Sequence, residues 1–288
     1  MDDESAVTRS VSSKVDVDLE IDLLLEAIFR RYQQDFRHYA RSSIRRRMVR
    51  ALGHFQVATV AALTDRILHD EHAFGELMGF LTIGVTDLFR EPASFVALRT
   101  TVAPVLATYP SLKVWVAGCA SGEEVYSLII LFAEMGLLDR TLFYATDIDP
   151  SALHTAERGI YELSRAADFT RAYQAAGGSR SLSDYYTAGY GAITFHRELR
   201  KKIVFSDHSL ATDHVFCEVH LVTCRNVLMY FDRRLQDRAV GLFLEALVRK
   251  GFLGLGSRET LLFCSHRDDF EEVDHRQRIY QKRSKVAA

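Results

Sequence analysis

The hydrophobic rhythm of the chain changes near residue 90. From about Leu19 to Ile83, apolar positions recur every three or four residues, with Ile21, Leu24, Leu25 and Ile28 on one face of "LEIDLLLEAIFRRY". That spacing predicts amphipathic helices. The stretches "HYARSSIRRRMVRAL", "VATVAALTDRILHD" and "HAFGELMGFLTI" continue it without a proline, so this part predicts a small helical bundle. After Arg90, short apolar runs alternate with helical patterns. "EPASFVALRTTVAPVL" predicts a helix with Pro92 in its first turn, "LKVWVAG" a strand, and "EEVYSLIILFAEMG" a helix stopping at Gly136. "TLFYATDID" predicts a second strand and "PSALHTAERGIY" a helix opened by Pro150. Such alternation predicts a mostly parallel sheet covered on both faces. It lapses between about 164 and 206, where "LSDYYTAGYGAITF" predicts short antiparallel strands in an inserted subdomain. It resumes with "EVHLVTCRNVLMYF", a buried strand and the loop after it, then the amphipathic "DRRLQDRAVGLFLEALVRKG" and the strand start "FLGLGS".

Composition narrows the function classes. The 288 residues suffice for one large domain or two modest ones, and 48% hydrophobic with 26% charged residues is ordinary for a globular protein. A formal net charge of −2 gives no global case for nucleic-acid or membrane binding. Cys119, Cys217, Cys224 and Cys264 form no CxxC pair and read as reduced, buried thiols of a cytosolic protein. No histidines show metal-ligand spacing. The polar, acidic start "MDDESAVTRSVSSKVDVD" reads as a disordered tail over residues 1–17, neither signal peptide nor anchor. No apolar run approaches the roughly 20 residues that span a bilayer, so the expected location is cytoplasmic.

Three loops at strand C-termini carry the candidate chemistry, because open α/β sheets bind ligands at that edge. In "AGCASGEE", Gly118, Ala120 and Gly122 let backbone approach a ligand, as in a nucleotide loop, and the plainer reading is a tight strand-to-helix turn. In "ATDID", Asp147 stands where a ribose-binding carboxylate is placed, while Asp149 fits the cap of the next helix better. A pyrophosphate at this helix N-terminus would be repelled by Glu123 and Glu124, which argues against a nicotinamide-dependent oxidoreductase. S-adenosylmethionine has no phosphate and carries cationic sulfonium and ammonium groups, so acids suit it. In "TCRNVLMYFD", Arg225, Asn226 and Tyr230 put polar groups where the reacting methyl would lie, or else cap and pack the next helix. The plainer reading of Glu123 and Glu124 is that both complement the dipole of the helix they start.

Together, "VWVAGCASGEEVYSL", "ATDID", "CRNVLMYFD" and "LTIGVTDLFREPASF" resemble the motifs of the chemotaxis-receptor glutamate methyltransferases, the CheR family, over roughly residues 20 to 283. The resemblance implies a class I S-adenosylmethionine-dependent methyltransferase: a Rossmann-like doubly wound sheet with a small antiparallel β-subdomain and an all-α N-terminal domain. Its layout would be a helical domain over 18–83, a linker over 84–92 that contributes to the cofactor site, and a methyltransferase domain over 93–288. The implied activity is methyl transfer to receptor glutamates, giving methyl esters and S-adenosylhomocysteine. The implied cofactor contacts are Gly84, Thr86, Arg90, Gly118, Glu124, Asp147, Ser209, Leu210, Arg225 and Asn226, with Arg90 and Tyr230 at the transfer step. Three departures stand out: Gly84 replaces the asparagine of "TTNxT", Ser209 replaces that of "HNLL", and "GSRE" at Gly256 to Glu259 replaces "GHSE". They keep open a weak or inactive cofactor-binding signalling module.

Arg41, Arg45, Arg46, Arg47 and Arg50 crowd one helical stretch beside Arg30, Arg31 and Arg37. The run reads as a solvated face or as a docking surface for an acidic partner, and it lacks the aromatic context of nucleic-acid binding. The resemblance implies docking on the glutamate-rich helical bundle of a chemoreceptor, with recruitment to receptor arrays. It also makes the β-subdomain a candidate site for a receptor tail peptide.

Overall fold

The computed structural model describes residues 16–82, 84 and 86–284. Residues 1–15 of the expected tail lie outside the described residues, and the chain is helical from Val17. Helices α1 (Val17–Tyr32), α2 (Arg41–Phe55), α3 (Val60–His69) and α4 (Glu71–Leu81) form the N-terminal bundle. Their apolar faces meet in one core, which includes Ile21, Leu24, Ile28, Ile44, Met48 and Leu77. Three of the four starts are capped by a side chain that accepts an exposed amide: Asp16 from Asp18, Thr59 from Ala62, and Asp70 from His72. Helix α2 begins at Ala40 with no side-chain cap.

The helix expected after Arg90 is interrupted. Helix α5 (Pro92–Ala97) and helix α6 (Ala103–Leu106) flank a π turn, Leu98–Val102, closed by the Ala103 N–H donating to the Leu98 carbonyl. Pro104 sits just beyond, and its missing N–H and its ring disfavour regular α geometry there.

The large sheet contains β1 (Leu112–Ala117), β2 (Thr141–Asp147), β6 (Ile203–Asp207), β7 (Val219–Cys224), β8 (Leu247–Leu255), β9 (Phe270–Asp274) and β10 (Ile279–Lys282). The small sheet contains β3 (Ile160–Glu162), β4 (Tyr186–Gly189) and β5 (Ala192–Phe195). The large sheet runs β6-β2-β1-β7-β8-β10-β9, parallel through β8 and closed by an antiparallel hairpin whose second strand inserts beside β8. Side chains alternate across it. Val114 and Val116 of β1 join the core under α7 (Glu123–Glu134), while Trp115 and Ala117 join the core under α11 (Arg233–Ala246). Trp115 is fully buried, and its indole N–H donates to Thr146 Oγ1 at 2.9 Å. Helix α8 (Pro150–Arg158) follows β2 and is capped by Asp149.

The small sheet has order β3-β5-β4, with α9 (Ala166–Ala175) between β3 and β4 and α10 (Arg197–Arg200) after β5. It begins at Ile160, ahead of the stretch expected from sequence, whereas Ile203–Asp207 belongs to the large sheet. Strands β4 and β5 turn through Tyr190 (φ 53°) and Gly191 (φ 75°), the left-handed pair that suits a tight hairpin. Among the described residues, no helix is long and apolar enough to cross a membrane.

Candidate functional site

The strand order reverses between β1 and β7, so the loops after these strands open into a crevice at the topological switch point. The first loop folds back on the end of β2. The amides of Gly118 and Cys119 both donate to the Thr146 carbonyl, at 2.8 and 2.9 Å, and the Ala120 amide donates to Asp147 Oδ2 at 2.8 Å. Gly118 has φ 73°, and a Cβ there would lie 2.5 Å from Val227 Cγ2 on the third loop. Only glycine permits both the left-handed backbone and the close approach.

Asp147 also accepts the Asp149 amide on Oδ1 at 3.0 Å, while Asp149 caps α8 through Ser151 and Ala152. Burial pushes the Asp147 carboxyl above its usual range, against the amides of Asp149 and Ala120, which favour its charged form. Each carboxylate oxygen has a second lone pair, so Asp147 retains acceptor capacity for hydroxyl groups in the crevice.

The third loop is held from beneath by a carboxylate. Glu259 is 4% exposed and accepts the backbone amides of Gly256 at 2.7 Å, Asn226 at 2.9 Å and Met229 at 3.2 Å. This fixes Asn226 in the left-handed region, at φ 61°. Arg225 points away from the crevice into a polar knot. It donates to the Arg90 carbonyl at 2.7 Å and to Glu91 at 3.1 Å, lies 3.3 Å from Glu124 Oε2, and stacks 5.1 Å over Phe95. Glu91, itself left-handed at φ 58°, further accepts both the amide and the hydroxyl of Ser257. Burial raises the Glu91 carboxyl, but the Ser257 hydroxyl and Arg225 outweigh it and hold the group below its ordinary value.

Glu123 does more than start a helix. It is 1% exposed and pairs with Arg165 at 2.7 Å, and Arg165 in turn donates to the Thr86 carbonyl at 3.1 Å and to Asp87 at 3.0 Å. The linker is thereby latched to the first turn of α7. Glu124 Oε2 takes Arg225, whereas its Oε1 is buried without a partner.

The three loops and the helical bundle line one half-open crevice. Of the residues expected from sequence, Gly84, Gly118, Asp147, Leu210, Asn226 and Tyr230 line it. Thr86, Arg90, Glu124, Ser209 and Arg225 surround it without lining it. The Ser209 hydroxyl accepts the Ala211 amide, so it serves the turn that presents Leu210.

The helical bundle supplies the far wall through Tyr39, Arg47, Leu81 and Thr82, and Thr82 Oγ1 lies 2.8 Å from Asp149 Oδ2. Arg47 is the unexpected member. It is 4% exposed, donates to the Leu81 carbonyl, and lies 5.0 Å from the Tyr230 ring centroid, with Nε and Nη2 unpartnered. Burial lowers its affinity for the proton. A helical reading contained the signal, because Arg47 follows Ile44 by three and precedes Ala51 by four on the buried face of α2.

The remaining arginines of α2 also separate. Arg41 and Arg45 pair with Asp18 and Asp22 of α1, while Arg46 and Arg50 are exposed.

Residues 19–82 match the family described as CheR methyltransferase, all-alpha domain, and residues 84–279 match CheR methyltransferase, SAM binding domain. The Cher3 protein of Pseudomonas putida is 50% identical over 272 residues, covering 94% of this chain and 100% of that protein. A chemotaxis protein methyltransferase 2 of Pseudomonas aeruginosa is 30% identical, covering 79% of each chain, and a chemotaxis protein methyltransferase of Listeria monocytogenes is 28% identical, covering 85% of this chain and 92% of its own. The donors present fit S-adenosylmethionine chemically: Asp147 lines the crevice with spare acceptor capacity, and Glu124 beside it keeps a buried carboxylate oxygen without a partner. With its bundle and its sheet domain both matched, and half its positions shared with a full-length relative, the chain belongs to the CheR methyltransferase family, whose cofactor is S-adenosylmethionine.

Proposed function

We propose that this chain methylates glutamate side chains of chemoreceptors, working in the cytoplasm and recruited to receptor arrays. The observation that most supports this reading is the two-sided construction of the crevice. One wall carries the cofactor-type loops, Tyr230 among them, and the opposite wall presents Arg47, 5.0 Å from the Tyr230 ring, on a helix whose outer face bears Arg46 and Arg50. S-adenosylmethionine supplies a methyl group already activated by a sulfonium. A glutamate acceptor, with a free pKa of about 4.3, is already ionised at neutral pH, so no general base is needed. The protein's task is orientation and exclusion of water, worth on the order of 7–11 kcal/mol in well-aligned systems. In this reading Glu124 holds the aminoacyl end of the cofactor and Asp147 its ribose, while Gly118 and Leu210 shape the pocket. Arg90 and Tyr230 orient the acceptor carboxylate, Arg47 balances its charge, and Arg46 and Arg50 steer an acidic receptor helix toward the site.

The test is transfer of tritiated methyl from S-adenosylmethionine to receptor-rich membranes, followed by release of base-labile methanol. Turnover is expected, with losses of at least tenfold for both Arg90→Ala and Tyr230→Phe. Unchanged turnover in both variants would sink the assigned roles. Tight S-adenosylhomocysteine binding without any ester formation would favour the signalling module left open by Gly84, Ser209 and Ser257.

A further inference from the structure

The loop that carries Tyr230 is not held by the sheet domain alone. Three residues that join α1 to α2 run antiparallel to it. The Ala40 amide donates to the Tyr230 carbonyl at 2.7 Å, and the Asp232 amide donates to the His38 carbonyl at 2.8 Å. Between these bonds Tyr39 and Phe231 form a β-bridge, with ring centroids 5.0 Å apart. The His38 Nδ1 lies 2.9 Å from Asp232 Oδ2, and the other oxygen of Asp232 caps α11 at the Leu235 amide.

The same residues begin the docking helix. Ala40 is the cap residue of α2, and its carbonyl accepts the amides of Ser43 and Ile44. No side chain caps this helix and no acid stands in its first turn, in contrast to the other helices of the bundle, each of which has a side-chain cap. The first turn of α2 therefore takes its anchorage from the Tyr230 loop, and the loop takes its register from α2.

We propose that His38, through Asp232, is a positioning residue for Tyr230, and that the His38–Ala40 connection makes the helical domain a working part of the transfer site. The proposal rests on the glutamate-methylation reading above for its kinetic consequence and on the geometry alone for its structural one. His38 does not line the crevice. It fixes the loop from behind, so its loss misplaces Tyr230 without dismantling the pocket that holds the cofactor. Misalignment of a bound pair of reactants costs turnover more than affinity.

The test uses the full chain with His38→Ala and His38→Asn, since an Asn amide nitrogen takes nearly the place of Nδ1 and can donate to Asp232. Expected for His38→Ala are a kcat about tenfold lower, a KM for S-adenosylmethionine and a calorimetric Kd for S-adenosylhomocysteine within about twofold of wild type, and faster hydrogen exchange confined to residues 228–233 and the start of α2. Expected for His38→Asn is recovery of kcat to within about threefold. Unchanged exchange of the 228–233 segment in His38→Ala overturns the proposal, as does a fall in kcat matched by an equal fall in cofactor affinity. If the wild-type chain binds S-adenosylhomocysteine yet methylates no receptor, the reading of its function fails while hydrogen exchange still decides whether His38 holds the loop.

Discussion

Arg225 offers the sharpest test of how the site is held together. Its side chain is 3% exposed and links three segments: the linker through Arg90 and Glu91, helix α7 through Glu124, and its own loop. At the 3.3 Å separation from Glu124, the attraction is about 5 kcal/mol at an effective dielectric of about 20. Much of that offsets the cost of burying both ions. Truncation is a different matter, because Arg225→Ala strands Glu124, only 13% exposed, and leaves the half-buried Glu91 without its cation. Removing one partner of a buried pair costs about 3–5 kcal/mol. At roughly 2–4 °C per kcal/mol, the melting temperature should fall by about 6–20 °C. The double variant Arg225→Ala/Glu124→Gln relieves the stranded charge and should recover about 1–3 kcal/mol of that loss. Thermal melts followed by circular dichroism measure both, with S-adenosylhomocysteine calorimetry alongside. A melting temperature within about 2 °C of wild type, combined with lost affinity, would refute the knot and return Arg225 to the direct cofactor contact suggested by its sequence position.

Other outcomes follow from the same geometry. Gly118→Ala must fit a Cβ 2.5 Å from Val227 Cγ2 at a left-handed backbone position, a strain of about 1–3 kcal/mol from overpacking, and S-adenosylhomocysteine should bind at least tenfold more weakly. Adding Val227→Ala should restore only the steric share, and wild-type affinity in Gly118→Ala alone would contradict the close approach. The Glu91 carboxyl is depressed in the folded chain, so its contribution to stability is present above the ordinary carboxylate value of 4.5 and is lost as pH falls through its lower folded value. Melting temperature should therefore decline less steeply on the acid side in Glu91→Gln than in wild type, and parallel acid profiles would count against the shift. Arg46→Ala and Arg50→Ala should each lower kcat/KM for receptor by up to about fivefold at low salt, an effect of 0.2–1 kcal/mol that fades as salt rises. Salt-insensitive methylation would remove electrostatic docking from the account.

How much of this was legible in the sequence depended on how local the determinants are. The helical rhythm from Leu19 to Leu81, the strands of "LKVWVAG" and "TLFYATDID", and Asp149 as a cap are set by neighbouring residues, and the chain folds there largely as the pattern indicates. The crevice is built from strand ends, so Gly118, Asp147, Asn226 and Tyr230 were found from their place after apolar runs. What sequence reading missed lies in contacts between distant segments. Glu91 meets Ser257 across 166 positions, and no periodicity announces it. Arg165 sits in the stretch assigned to the inserted subdomain, yet it closes the linker onto Glu123. Arg47 was hidden by its company: in a run of arginines it reads as charge, and only the helical phase separates it from exposed Arg46 and Arg50. The break at Leu98–Val102 escaped because the helical pattern carries on through Pro104 to Leu106.

The chain contains one tryptophan, and its position gives the protein a built-in optical signal. Trp115 donates to the hydroxyl of Thr146, the residue whose carbonyl anchors the Gly118–Cys119 turn, and its ring lies 5.2 Å from His208 on the crevice wall. Emission from this buried indole therefore reports on the floor of the pocket from a single site, without interference from any other tryptophan. Titration of the unlabelled wild-type chain can follow cofactor and product as they enter and leave, at concentrations too low for calorimetry.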